Sequence, residues 1–206
     1  MNQRQPLMKN GRLRRALEEH RRALSQAVLD RMYENPFWME RFGERGRRFA
    51  DEDSDHHVRY LDQALAADDP AIFEKYARWL RAVLVSRGMC SEHLAENFRL
   101  LGQEIAGRGL ADAAAGAVIL EAGTRALIYV DGDAGRLEGH RAAFVDVVER
   151  AAAPGEMRED DRRYLVSYLI DATATGDRAF FDQFARRFHS RVTAALLESA
   201  APYLRT

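Results

Sequence analysis

Apolar residues return every three or four positions along most of the chain, the period of an amphipathic α-helix rather than of a strand. Leu13, Leu17, Leu24, Val28 and Met32 share one face of a first helix, with Arg14, Arg15, Glu18, Arg21 and Arg22 spread over the others. Asn35-Pro36 reads as a cap with proline in the first turn. It opens a second helix through Phe37, Trp38, Phe42 and Phe49, weakened by Gly43 and Gly46. Asp53 or Ser54 caps a third, whose inner face carries Val58, Tyr60, Leu61, Ala64 and Leu65. Asp69-Pro70 repeats the signal before a fourth, with Ile72, Phe73, Tyr76, Trp79, Leu80, Val83 and Leu84 inward and Gly88 as its stop.

Ser91 caps a fifth helix with Leu94, Phe98, Leu101 and Ile105 inward, and Gly107 and Gly109 end it. The sixth segment, Leu110 to about Val130, is alanine-rich and allows neighbouring helices to approach closely; its end, Leu127 to Val130, also reads as a strand, without a partner strand. After the loop Asp131-Gly132-Asp133-Ala134-Gly135, helix seven carries Leu137, Phe144, Val145 and Val148. Helix eight turns Tyr164, Leu165, Tyr168 and Leu169 inward, and Gly176-Asp177 leads into helix nine with Phe180, Phe181, Phe184, Phe188, Val192 and Leu196. The expectation is an all-α protein of about eight to nine helices forming one domain over 1–206, with any internal boundary near 107–110.

Displaced by about 108 positions, Val58, Tyr60, Leu61, Ala64, Asp69, Phe73 and Ala77 meet Val166, Tyr168, Leu169, Ala172, Asp177, Phe181 and Ala185. One helix, turn and helix element is written twice, by duplication or by convergent patterning.

The 206 residues are 47% hydrophobic and 31% charged, enough for a substantial core. With 31 basic against 32 acidic residues the net charge is −1, so no global field recruits nucleic acid or an anionic membrane. The run Arg12, Arg14, Arg15, Arg21 and Arg22 reads as a solvated face before it reads as a nucleic-acid surface. Cys90 is the only cysteine, which excludes an intramolecular disulfide and fits a reducing compartment. Met1 to Asn10 lacks the apolar core of a signal peptide, and the longest apolar run, Ala113 to Leu120, is far short of the roughly 20 residues a membrane span needs. A cytoplasmic protein with no membrane partner is expected. The apolar face of the first helix, with Phe37 and Trp38, suggests a homodimer.

Phosphate-binding loops, dinucleotide glycine fingerprints and nucleophile elbows are absent, as are the Glu-x-x-His pairs of di-iron bundles, so a non-enzymatic role is expected. Asp53 lies one turn before His56, where a carboxylate orients an imidazole. The adjacent His56 and His57 point about 100° apart on a helix and cannot share a metal from one face. Cys90-Ser91-Glu92-His93 lacks the second ligand pair of a zinc site. As haem ligands His56, His93, His140 and His189 are all eligible, and none is singled out. Trp38, Trp79, Tyr60, Tyr76 and Phe73 form an aromatic set that serves either as core or as a flat pocket, with Arg59 and Arg78 available to ligand carboxylates.

The run Val58-Arg59-Tyr60-Leu61 followed by Ala64-Leu65-Ala66-Ala67-Asp68-Asp69-Pro70-Ala71-Ile72-Phe73 resembles the phycobiliprotein helix that ends in Ala-Gly-Asp-Pro and carries the chromophore contacts. The resemblance places the aspartate that binds the pyrrole nitrogens at Asp53 and the attachment cysteine at Ala50, which has no thiol. It also extends to bilin-biosynthesis-associated globins, which are haem-free. A weaker likeness, including Tyr168-Leu169 and Gly176-Asp177-Arg178, is to helical regions before cobalamin-binding domains of bacterial sensors. The resemblance implies a globin-like fold and a bilin or related tetrapyrrole bound non-covalently at Asp53, and the candidate site around it is Asp53, His56, Arg59, Tyr60 and Trp79. Only two helices precede Asp53, fewer than a globin requires, so two stacked helical bundles stand as the alternative. A ligand-free regulatory interaction module and a haem globin are the competing functions.

Overall fold

The computed structural model describes residues 10–204, with the backbone alone of Asp51, Glu52 and Asp53. Among the described residues the regular elements are all helical: α1 (Gly11–Met32), α2 (Pro36–Ala67), α3 (Pro70–Val85), α4 (Ser91–Gly107), α5 (Ala113–Ala126), α6 (Gly132–Glu138), α7 (Arg141–Ala151), α8 (Glu159–Thr175), α9 (Arg178–Ala185) and α10 (Ser190–Ala200), closed by a 3-10 turn (Ala201–Tyr203). No helix among them is long and apolar enough to cross a membrane.

The ten helices differ from the expected eight or nine in where the chain breaks. Segments two and three run together as α2, and the backbone departs from helix at Gly43 (φ 57°, ψ −165°), a conformation that glycine alone adopts freely. Ser54, expected as a cap, lies inside α2 and is buried. The expected loop Asp131 to Gly135 is helical from Gly132 and belongs to α6, which Gly139-His140 separates from α7, and segment nine divides before His189, whose extended backbone starts α10. The cap at Asn35 forms as expected, its Oδ1 accepting from the Phe37 amide at 3.0 Å. Leu127 to Val130 forms neither helix nor strand.

The chain divides into two compact units, the first made of 1–79 and 94–126, the second of 80–93 and 127–206. The stretch 107–110 lies inside the first. There Leu13, Leu17, Leu24, Val28 and Met32 of α1 are buried with Phe37, Trp38, Leu61, Leu65, Phe73, Phe98 and Ile105. Burial of each large side chain stabilises the unit by about 1.5–3 kcal/mol. The apolar face that the sequence offers to a second copy is therefore the inside of this unit. Close approach centres on Gly123, where a Cβ would meet the Phe73 ring at 2.4 Å.

Carboxylates of the same unit meet the arginines of α1: Arg12 pairs with Asp112 at 2.8 Å, Arg14 with Asp62 at 2.8 Å, Arg21 with Asp55 at 3.2 Å and Arg31 with Glu104 at 3.3 Å. Each such pair contributes little stability, about 0–1 kcal/mol, but together they leave no continuous cationic stripe on α1.

In the second unit α8 is buried on nearly every side, from Tyr164 through Ala172. Leu137, Phe144, Val148, Phe181, Val192 and Leu196 complete that core.

Candidate functional site

The candidate site is built by the turn between α2 and α3. Asp68 takes the left-handed conformation (φ 53°) that ends α2, and Asp69 Oδ1 accepts the Ala71 amide at 2.9 Å to start α3. The reversal lays Tyr60 on Tyr76, ring centroids 3.9 Å apart and planes within 13°. One turn further, Trp79 leans on Tyr76 at 6.2 Å and stands 59% exposed. His57 lies beneath, its Nδ1 2.7 Å from the Tyr76 hydroxyl and its ring edge-on to Phe98 at 5.3 Å. Burial, with a smaller contribution from His56, pushes the His57 pKa down to about 3, so the imidazole is neutral at pH 7.

Tyr60 and Trp79, both expected in the site, are thus joined in one row through Tyr76. Arg59 points outward and pairs with Asp55 at 2.8 Å. His56 is exposed, and the histidine that meets the aromatic row is its neighbour His57. The signal was present: His57 precedes Leu61 by four positions, as Leu61 precedes Leu65, and so falls on the buried face. The Asp53 side chain lies outside the described residues. Trp38 belongs elsewhere, against Phe37 and Phe42 at 5.5 Å from each. Arg78 is held by Glu74 at 3.2 Å.

Next to Arg59 a crevice of about 170 Å³ runs between α1 and α2, lined by Leu17, Arg21, Val58 and Asp62. Pockets that enclose drug-sized ligands have about 300–1,000 Å³. A tetrapyrrole does not fit inside this crevice; what the site offers a large planar molecule is the open face of Trp79 and Tyr60.

A second polar cluster, with no local sequence signal, lies in the second unit. The buried Asp171 carboxylate accepts the Ser91 amide at 2.7 Å, the Ser91 hydroxyl and the Tyr129 hydroxyl at 2.8 Å, while Ser167 Oγ accepts the Glu92 amide at 3.0 Å. Side chains of α8 therefore satisfy the orphan amides at the start of α4, and a carboxylate sits at the positive end of that helix. Desolvation raises the Asp171 pKa against these bonds. Cys90, the single cysteine, is buried, and burial together with Asp171 raises its pKa; it is an inert core residue. His93 Nδ1 accepts the Cys90 amide at 3.4 Å, and its ring meets Tyr164 edge-on.

The repeated element proves alike in geometry. Tyr168 stacks on Phe184 at 4.4 Å and 15°, as Tyr60 does on Tyr76; Gly176 is left-handed where Asp68 is, and Asp177 caps α9 where Asp69 caps α3. Arg187 lies over the Phe184 ring, at the place that Trp79 takes beside Tyr76. No family model, no curated protein and no solved structure matches this chain.

Proposed function

We propose that this is a non-enzymatic binding protein that holds a flat conjugated ligand, a bilin or related tetrapyrrole, non-covalently against the aromatic face of the first unit. The observation that carries the reading is Trp79, an indole 59% exposed at the end of a row formed with the buried Tyr76 and the half-buried Tyr60. A planar ligand laid against it removes apolar surface from water without reorganising the protein. The resemblance of the Asp53–Phe73 stretch narrows the ligand class to tetrapyrroles, and Ala50 excludes a thioether there. Arg59, once released from Asp55, pairs with a propionate. A role as sensor or scaffold in bilin metabolism follows from the same site. Haem is the weaker ligand, because none of His56, His93, His140 and His189 is singled out as an axial ligand. The division into two units supports paired helical bundles over a single globin-like domain.

Biliverdin titrated into the purified protein should shift its absorption and quench tryptophan fluorescence, and acid denaturation should release all of it. Trp79→Ala and Asp53→Asn should each weaken the complex. No spectral change at high micromolar biliverdin sinks the reading. A docking module that pairs with a partner or a second copy would then lead, favoured by α5, which turns Ala114, Ala117 and the 56% exposed Val118 to solvent.

A further inference from the structure

The last two helices of the second unit flank an open groove of about 390 Å³ that the aromatic site does not touch. Ala185, Phe188, Ala194 and Leu197 give it an apolar floor, and Arg186, Ser190 and Thr193 stand around it. Three features of this wall have no use within the fold. Among the described residues Thr193 Oγ1 is buried and has no hydrogen-bond partner, although a helical threonine can bond the carbonyl one turn back. Arg186 is exposed and forms no ion pair among the described residues, and Asp182, a carboxylate on the groove, is turned to Arg178 at 3.6 Å. Finally, α10 begins with no side-chain cap at His189, which leaves first-turn amides for an outside acceptor.

We propose that this groove binds a small carboxylate with an apolar body, of the medium-chain fatty acid class. The volume falls in the range of small-molecule sites. A carboxylate matches the single unpaired guanidinium and the positive end of α10, and it accepts from the Ser190 hydroxyl. A χ1 rotation of the half-buried Thr193 brings its orphaned hydroxyl out to donate to the ligand, whose chain covers Phe188, Ala194 and Leu197.

The test is a titration of the full chain with octanoate, octan-1-ol and acetate, followed by amide chemical shifts. Octanoate should saturate with shifts concentrated in residues 182–197, and the alcohol and acetate should each bind about tenfold more weakly. Arg186→Gln, a surface change, should weaken octanoate about tenfold. Thr193→Val keeps the shape and removes an unsatisfied hydroxyl, so it should raise the melting temperature of the free protein while weakening octanoate severalfold. A threonine with a purely structural role would show no loss of affinity. Octanoate that binds no tighter than octanol, binding unchanged in Arg186→Gln, shifts centred elsewhere, or no saturation at millimolar octanoate each overturns the proposal.

Discussion

Residues 58–78 and 166–186 build the same helix, turn and helix, and they differ most at the ring stack. In the second unit Tyr168 is closed in: Phe184 stacks on it, Phe180 lies at 4.8 Å, His93 meets it edge-on, and its hydroxyl donates to the Gly88 carbonyl at 2.9 Å. In the first unit Tyr60 is half-buried, stacked on Tyr76, and the row ends in an exposed tryptophan. The same backbone thus carries a stack that is core in one unit and surface in the other. What separates them is side-chain identity: Phe180 stands where the first unit has Ile72, and Arg187 where it has Trp79.

Truncating the stacked tyrosines should expose this contrast most strongly. Tyr168→Ala removes a fully buried ring and an internal hydrogen bond, and should destabilise by about 4 kcal/mol. Tyr60→Ala, at a half-exposed position, should cost about 1–2 kcal/mol. Urea unfolding measures both, and equal costs would show that the two stacks are equally part of the core.

Beneath the stacks the contrast is chemical. His57 and Tyr76 form a buried hydrogen-bonded pair in the first unit; their counterparts are Leu165 and Phe184, both apolar and buried. Both polar partners are replaced together, as expected where losing one leaves a desolvated group behind. His57→Leu alone should destabilise by about 1–3 kcal/mol, and the double change His57→Leu/Tyr76→Phe should restore most of it. The pair also sets a pH dependence. The folded His57 pKa, at about 3, lies below the ordinary 6.5. Stability is therefore full above pH 6.5 and declines as the unfolded chain gains a proton that the folded one refuses, down towards pH 3. At pH 5 the loss is about 2 kcal/mol, and the double variant should lack it. Asp171, with its raised pKa, acts in the opposite direction and is common to both proteins, so comparing the two acid limbs isolates His57.

The helices and the repeated element were legible because their signals are local: a 3.6-residue period, an acidic N-cap and a turn at the same offset. Contacts that depend on helix rotation or distant chain were read less well. The turn from Asp53 points to His56, although the Leu61–Leu65 row places His57 on the buried face. Trp38 was grouped with Trp79 by residue type, yet the chain turns it towards Tyr33 and Phe42. The break expected at Asp53 or Ser54 sits at Gly43 instead, because a buried serine is tolerated within a helix more easily than glycine is kept helical. Asp171 and Ser91 meet across 80 positions, and Asp171 stands in no motif.

The smallest expected effect concerns the turn itself. Asp68 and Gly176 are equivalent and both left-handed, at φ 53° and 71°. Glycine adopts this region without steric conflict, whereas an aspartate is strained there and places a negative charge at the negative end of α2. Against this, glycine gives the unfolded chain more freedom, which offsets part of the gain. Asp68→Gly, borrowing the residue of the second unit, should therefore stabilise by about 0.5–1 kcal/mol, seen as a rise in melting temperature of about 2 °C for a chain of this size. Gly176→Asp should lower it by a similar amount. If Asp68→Gly lowers the melting temperature instead, the shared backbone angle does not decide the preference at this position, and the side chain of Asp68 stabilises its turn in a way that Gly176 cannot.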